Sequence, residues 1–216
     1  MQSKNRRKAL TAWGALVGLV ALLTTAAFTD AIYLNFGTGT DDTGIGGGGD
    51  GTKSYNLQVG ATNTDGTFKN DNTWQEADDP KGVPIKLAGA EALFPGSPAA
   101  TVEIPVKNAS KAMGSTLAIK LVNHDPSKTD VNYLNALRFT ISMPATVSGS
   151  NPVLAQDKTF NELSSGLALN DMKAETVSKI TVTVTLPSQG QPADDALNGK
   201  AAFVQAVLSG NSKYIP

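Results

Sequence analysis

A strict two-residue alternation from Ile180 to Leu186 constrains the fold of this chain more than any other feature. Apolar residues occupy every second position, threonines stand between them, and Pro187 ends the run. A helix would spread these apolar side chains around its axis, whereas a strand places them all on one face. The segment therefore predicts a β-strand with one buried face.

Other segments of the chain alternate in the same way. The apolar positions fall within Val102 to Val106, Leu117 to Leu121 and Leu137 to Met143. Pro105 cannot donate a ladder hydrogen bond, so its strand is predicted at a sheet edge. The segment from Ala201 to Leu208 is apolar on both faces, which favours a more central strand. Asn63 to Gly66 has the residues of a tight turn.

Helical signals are scarce. Thr159, with Glu162 three residues later, is typical of a helix start, and the residues to Leu163 together with Leu167 to Met172 predict one short helix. Many short strands separated by Gly, Pro and Asn turns are typical of sandwiches and barrels. We therefore expect an all-β fold, an antiparallel jelly roll or sandwich with one short helix, over residues 54–216.

The N-terminus has the pattern of an export signal. Basic residues within Met1 to Lys8 precede an uncharged apolar run from Ala9 to Phe28. About 20 apolar residues can span a bilayer, so an uncleaved anchor is the alternative. The small residues before Phe28 favour cleavage between Ala27 and Phe28. We expect residues 1–27 to be a signal peptide, the mature protein to be secreted, and membrane contact to occur only before cleavage.

A short strand and a tether follow the signal. Within residues 28–36, Ile32, Leu34 and Phe36 alternate with smaller or more polar neighbours, which predicts an extended strand. The segment that follows, up to residue 53, is rich in Gly, Thr and Asp. It has too little apolar area to offset its backbone entropy, so we expect a flexible linker.

Composition excludes several functions. Four of the 18 Lys and Arg residues precede the apolar run, so the rest of the chain has 14 basic against 19 acidic residues, which argues against nucleic-acid binding. The chain has no cysteine, which excludes disulfides and thiolate chemistry. His124 is its only histidine, whereas a zinc protease of the H-E-x-x-H type needs two. We expect no enzyme activity, no metal and no cofactor.

Two weaker signals have plainer interpretations. Asp125 and Asp130 near His124 could bind a cation, but the segment has the composition of a solvated turn. Lys107 and Lys120 could form isopeptide crosslinks, but no partner residue is identifiable, so a solvated face is the better interpretation.

Several short motifs follow one another along the chain. The signal ends in Ala26-Ala27-Phe28-Thr29-Asp30, and later come Phe94-Pro95-Gly96-Ser97, a strand, Asn108 in a polar turn and a second strand from Ser115 to Lys120. A short helix with Phe160 and Leu163 and two late strands complete the order. This order resembles the TasA and camelysin family of exported biofilm-fibre proteins, in which a dedicated signal peptidase cuts a junction close to the one at Ala27 and Phe28. The linker from Gly37 to Thr52 departs from the family in its glycine content.

The resemblance implies a jelly-roll subunit of an extracellular filament whose N-terminal strand completes the sheet of the next copy. The partners would be further copies, with an accessory or anchoring subunit and other cells as additional candidates. Burying Ile32, Leu34 and Phe36 would contribute about 5 to 8 kcal/mol before ordering costs. Pairing within the same chain stays open, because the linker permits it as well. The alternative functions are a monomeric secreted adhesin or ligand-binding module and, less favoured, a camelysin-like metalloprotease.

Overall fold

The computed structural model describes residues 55–144 and 153–213, and the structural statements below concern that part of the chain. Its strands are β1 (Leu57–Gly60), β2 (Trp74–Gln75), β3 (Ala100–Asn108), β4 (Gly114–Asn123), β5 (Arg138–Ser142), β6 (Val153–Lys158), β7 (Leu167–Ala168), β8 (Val177–Thr185) and β9 (Val204–Lys213). Its helices are α1 (Val131–Ala136), α2 (Phe160–Ser164), α3 (Ala193–Leu197) and a 3-10 turn at Ala90–Ala92.

The strands form two antiparallel sheets. One sheet has six strands in the order β2-β1-β3-β8-β5-β6, and the other has three in the order β7-β4-β9. The predicted alternation is observed: Ile180, Val182 and Val184 of β8 are buried, and the threonines between them are partly exposed. The predicted all-β antiparallel sandwich is confirmed.

The core lies between the two sheets. Its buried side chains include those of β3, β5 and β8 of the larger sheet and of β4 of the smaller one, and the helices and connecting segments add others to the same continuous cluster. Leu117, Ile119 and Leu121 of β4 are each 2% to 3% exposed. These three residues define the inner face of the smaller sheet.

The predicted edge position of the Pro105 strand is wrong. β3 lies inside the larger sheet, between β1 and β8. Ala109 N–H donates to Asn56 O on the β1 side. Because the backbone groups of successive residues in a strand face opposite neighbours, the backbone nitrogen of Pro105, four residues earlier, also faces β1. The pairing with β1 ends at Val106, one residue before the proline is reached, so the missing donor interrupts no ladder bond.

The predicted central position of the last strand is also wrong. Among the described residues, β9 is an edge strand of the three-stranded sheet and pairs with β4 alone. Its residues from Ser209 to Lys213 are polar and mostly exposed. The strand is therefore apolar over only part of its length.

The helix prediction is confirmed in part. α2 begins at Thr159, whose side chain accepts from Glu162 N–H while the Glu162 carboxylate accepts from Thr159 N–H. The proposed continuation is wrong, because Leu167–Ala168 is a strand paired with β4. α1 and α3 were not predicted, and α1 is capped by the side chain of Asp130.

The predicted turn at Asn63 to Gly66 is confirmed, with Gly66 at a φ of 81°. No helix among the described residues is long and apolar enough to cross a membrane. The predicted boundaries of the signal, the linker and the folded domain, at residues 27 and 53, lie outside the described residues.

Candidate strand-acceptor edge

β9 is a long strand that is paired along one side only. Its ten residues stand in unbroken antiparallel register with β4, from Gly114 opposite Lys213 to Asn123 opposite Val204. Within residues 55–144 and 153–213, no strand pairs with its other side. Such an edge presents backbone donors and acceptors to any strand that can reach it.

The other sheet edges are less suited to accept a strand. β2 and β7 have two residues each. β6 is bulged against β5, with register shifts on both sides of Ile141 and a positive φ at Asp157. Very short and bulged edge strands are devices that hinder further pairing. β9 is therefore the longest regular edge in the described part of the chain.

The pairing of β4 identifies which backbone groups of β9 face outward. Ser115 exchanges both backbone hydrogen bonds with Met172, and Leu117 O accepts from Leu169 N–H. Because these odd-numbered residues of β4 face β7, its even-numbered residues face β9. The register places these even-numbered residues opposite the odd-numbered residues of β9, from Gln205 to Asn211.

It follows that the even-numbered residues of β9 direct their N–H and C=O groups toward the unpaired side. No backbone hydrogen bond of Ala206, Leu208 or Gly210 to another described residue is found on that side. A strand added there would pair with Val204, Ala206, Leu208, Gly210 and Ser212.

The same residues of β9 lie over an inner face that is only partly covered. Leu208 stands opposite Ile119, and Ala206 stands opposite Leu121. Ile119 and Leu121 are each 2% exposed, whereas Leu208 is partly exposed and Ala206 is exposed. The core is therefore closed over β4 and only partly covered over β9, where Val204 and Leu208 pack against it while half-buried.

β9 approaches the segments next to β1 and β2 near both of its ends. Near the start of β9, Gln205 Nε2 donates to Pro80 O at 3.2 Å. Near its other end lies a cavity of about 440 Å³, which opens between β9 and the larger sheet. The cavity is lined by Tyr55, Asn56, Leu57, Glu76, Asp78 and Gly210.

Tyr55 fixes the position at which the preceding chain joins the sandwich. Its hydroxyl lies 2.6 Å from Ser115 Oγ, and Ser115 is fully buried. Gly210 has no side chain, and a Cβ there would collide with the Tyr55 hydroxyl. Asn56 N–H also donates to Ser110 Oγ at 2.9 Å. Tyr55, the first residue that the structure describes, therefore lies beside β9.

Two carboxylates line this cavity. Glu76 Oε1 accepts from Asn56 Nδ2 at 3.1 Å and from Gln58 Nε2 at 2.8 Å. Asp78 is exposed. No lysine or arginine is among the residues that line the cavity. The cavity therefore offers a negative environment beside Gly210.

The residues predicted to act at the N-terminus lie outside the described part of the chain. They are the cleavage residues Ala27 and Phe28 and the strand residues Ile32, Leu34 and Phe36. The acceptor edge itself was missed, because the apolar residues of β9 were interpreted as a central strand. The polar run from Ser209 to Lys213 is the signal that could have identified an edge.

The segment around His124 forms an ordinary turn. His124 N–H donates to Phe203 O at 2.8 Å. The pKa of Asp125 is lowered to about 2, mainly because the Ser127 hydroxyl donates to it at 2.6 Å and also because Lys128 lies 3.0 Å away. Across the described ranges, no group of three or more His, Asp or Glu residues is placed to hold a metal ion.

The two lysines considered for crosslinking have simple surroundings. Lys107 Nζ lies 5.7 Å from the centre of the Trp74 ring, a cation–π contact. Lys120 is exposed on the outer face of the smaller sheet. These surroundings are those of solvated lysines.

Comparison with models of protein families finds no match to this sequence. Comparison with curated proteins finds no significant similarity either.

Proposed function

We propose that this protein is a secreted structural subunit that polymerises into an extracellular filament by donating its N-terminal strand to a neighbouring copy. The observation that carries the proposal is the side of β9 that no described strand pairs with, which combines outward-facing backbone groups with a partly covered inner face. An edge of this kind is the acceptor in β-strand addition.

The strand predicted at residues 28–36 has the composition that this edge requires. Ile32, Leu34 and Phe36 would point to one face, and that face would cover Leu208 and the exposed Ala206. The gain of about 5 to 8 kcal/mol from burying three apolar side chains must exceed the entropy lost on ordering the strand. The added ladder hydrogen bonds contribute further.

Donation to a second copy makes the contact heterologous, since the donor and the acceptor are different surfaces of the same chain. Heterologous contacts that do not close into a ring produce open filaments. The order of elements supports this arrangement, because a glycine-rich linker separates the donor strand from Tyr55. A secreted location is proposed from the N-terminal signal, and an anchoring subunit or other cells are further candidate partners.

The experiment compares three forms of the chain that begins at Phe28. In the unmodified form we expect salt-resistant polymers on size exclusion and filaments in negative-stain images. Replacing Ile32, Leu34 and Phe36 with Asn should leave a folded monomer. The matched control, Tyr33→Ser, changes the opposite face of the predicted strand and should still polymerise.

Polymerisation that survives the triple substitution would contradict strand donation. A monomeric unmodified chain would instead favour pairing within one copy, as expected of a secreted adhesin or ligand-binding module.

A further inference from the structure

We propose that Asn198 is a modification site, at which the side-chain amide reacts with the backbone of Gly199 and is converted into aspartate and isoaspartate. Asn198 is the only asparagine followed by glycine in this sequence. The reactants are the chain itself and water. The site lies in the turn between α3 and β9, and the reaction does not require filament formation.

Asn198 and Gly199 are the two central residues of a type II turn. Asn198 has a φ of -63° and a ψ of 132°, and Gly199 has a φ of 71°. A type II turn has such angles at its second residue and needs a positive φ at its third, which favours glycine. The turn is closed by the bond from Lys200 N–H to Leu197 O at 3.2 Å.

The backbone nitrogen of Gly199 is placed to act as a nucleophile. Its N–H donates to no other residue in the described part of the chain. A Cβ added at Gly199 would meet no atom within 4 Å, and glycine has no side chain of its own to shield the nitrogen. Because Gly199 is exposed, water and base reach this nitrogen.

The Asn198 amide is equally unrestrained. The residue is exposed, and its side chain makes no hydrogen bond to another described residue. The ψ of Asn198 must rotate from its observed value before the Gly199 nitrogen reaches the side-chain carbon. Among the described residues, the bond between Lys200 and Leu197 is the one backbone hydrogen bond across this turn, so little opposes the rotation.

The reaction has two steps. The Gly199 nitrogen bonds to the side-chain carbonyl carbon of Asn198, the carbon–nitrogen bond of the side-chain amide breaks, and the proton of the attacking nitrogen leaves with the amide nitrogen as ammonia. The product is a five-membered succinimide ring. Water then adds to one ring carbonyl and opens the ring. Opening at the side-chain carbonyl gives aspartate, and opening at the main-chain carbonyl gives isoaspartate.

The two products should differ in their effect on the fold. Leu197 is 5% exposed, and Ala201 O accepts from Asp130 N–H at 2.9 Å, so both ends of the turn are held. Aspartate leaves the backbone between them unchanged. Isoaspartate lengthens it by one methylene, so the bond from Lys200 to Leu197 loses its geometry. The isoaspartate form should therefore unfold at a lower temperature than an Asn198→Asp variant.

The modification is measured by peptide mapping of the full chain after incubation in mildly alkaline buffer, once folded and once unfolded in urea. The quantity compared is the rate of amide loss at each asparagine in the folded chain relative to the unfolded chain. At Asn198 the folded rate should lie within about tenfold of the unfolded rate, because opening one backbone hydrogen bond costs no more than about that factor. Both aspartate and isoaspartate should form.

Asn108 is the internal control. It is buried, its amide makes three hydrogen bonds, and the following N–H, that of Ala109, donates to Asn56 O. Its amide should be lost in urea and retained in the folded chain. In Asn198→Gln the amide is one methylene further from the Gly199 nitrogen, so a five-membered ring cannot form. This variant should keep its Tm and give no product at position 198.

Two results would overturn the proposal. If the Asn198 amide survives in the folded chain as the Asn108 amide does, the turn protects it. If aspartate forms without isoaspartate, the amide is hydrolysed directly by water and the Gly199 nitrogen takes no part. Neither result bears on strand donation, because polymerisation is not measured in any of these experiments.

Discussion

Neighbouring residues of β9 should respond in opposite ways to proline. Ala206 is exposed and directs its N–H to the unpaired side, whereas Val207 directs its N–H to β4, opposite Lys120. Proline cannot donate a ladder hydrogen bond and is tolerated only where that donor faces away from a partner strand. Ala206→Pro should therefore spare the fold and impair assembly, and Val207→Pro should destabilise the fold itself.

The magnitude follows from the contacts removed. A backbone hydrogen bond contributes about 0.5 to 1.5 kcal/mol net, and a tenfold change in an equilibrium constant corresponds to about 1.4 kcal/mol. In Ala206→Pro one donor to the added strand is lost, and the ring also obstructs that strand's carbonyl. We expect the critical concentration for polymerisation to rise by at least about tenfold.

Sedimentation of polymer at a series of protein concentrations measures this change, and thermal unfolding checks the fold. Ala206→Pro should lower the Tm by a few degrees at most, and Val207→Pro should lower it by more. An Ala206→Pro protein that is folded and polymerises at the unmodified concentration would refute the assignment of the acceptor edge.

Three further predictions concern stability. Asn108→Ala should lower the free energy of unfolding in urea by about 3 kcal/mol. The reason is that the buried amide makes three hydrogen bonds, to Met113 O, Lys173 O and Ser110 N–H. An unchanged free energy of unfolding would show that the amide is dispensable. Gly210→Ala should destabilise the protein, because the added Cβ collides with the Tyr55 hydroxyl. In a double-mutant cycle, Tyr55→Phe should reduce that cost. If the stability changes of the two substitutions were strictly additive, the contact would be contradicted. The pKa of Glu162 is lowered to about 2, first by the hydrogen bond from the Lys158 ammonium and then by those from Thr159. The stabilising effect of this carboxylate should therefore be complete above pH 4.5 and disappear as the pH falls through about 2. Glu162→Gln should remove that part of the dependence of Tm on pH, and a Glu162 carboxylate titrating at its ordinary pKa by NMR would contradict the capping box.

Strands with one buried face were predictable because their side chains report burial directly. The alternation around Ile180 and Phe139 indicates which face meets the core, and both residues are buried as expected. The capping box at Thr159 and Glu162 was predictable for the same reason, because it depends on residues only three positions apart.

The order of strands in a sheet depends on contacts that the local pattern does not contain. Pro105 was expected at an edge, yet β3 tolerates it inside the sheet because β1 stops pairing one residue earlier. β9 was expected in the centre because Val204, Val207 and Leu208 are apolar, yet no strand in the described part of the chain pairs with one of its sides. Over its apolar part this edge strand has the same sequence signature as a central one, and in the sequence only the polar run from Ser209 to Lys213 indicates an edge.

α1 was missed because its six residues are too few to show a helical period. Asp130, its cap, was interpreted as part of a solvated turn.

Hydrogen exchange at the backbone amides of β9, measured in monomer and in polymer, tests strand donation most directly. The amides of Val207 and Ser209 face β4 and should be protected in both states. The amides of Ala206, Leu208 and Gly210 should exchange fast in the monomer and become protected in the polymer. If they exchange equally fast in both, or are already protected in the monomer, β9 does not accept a strand from a neighbouring copy.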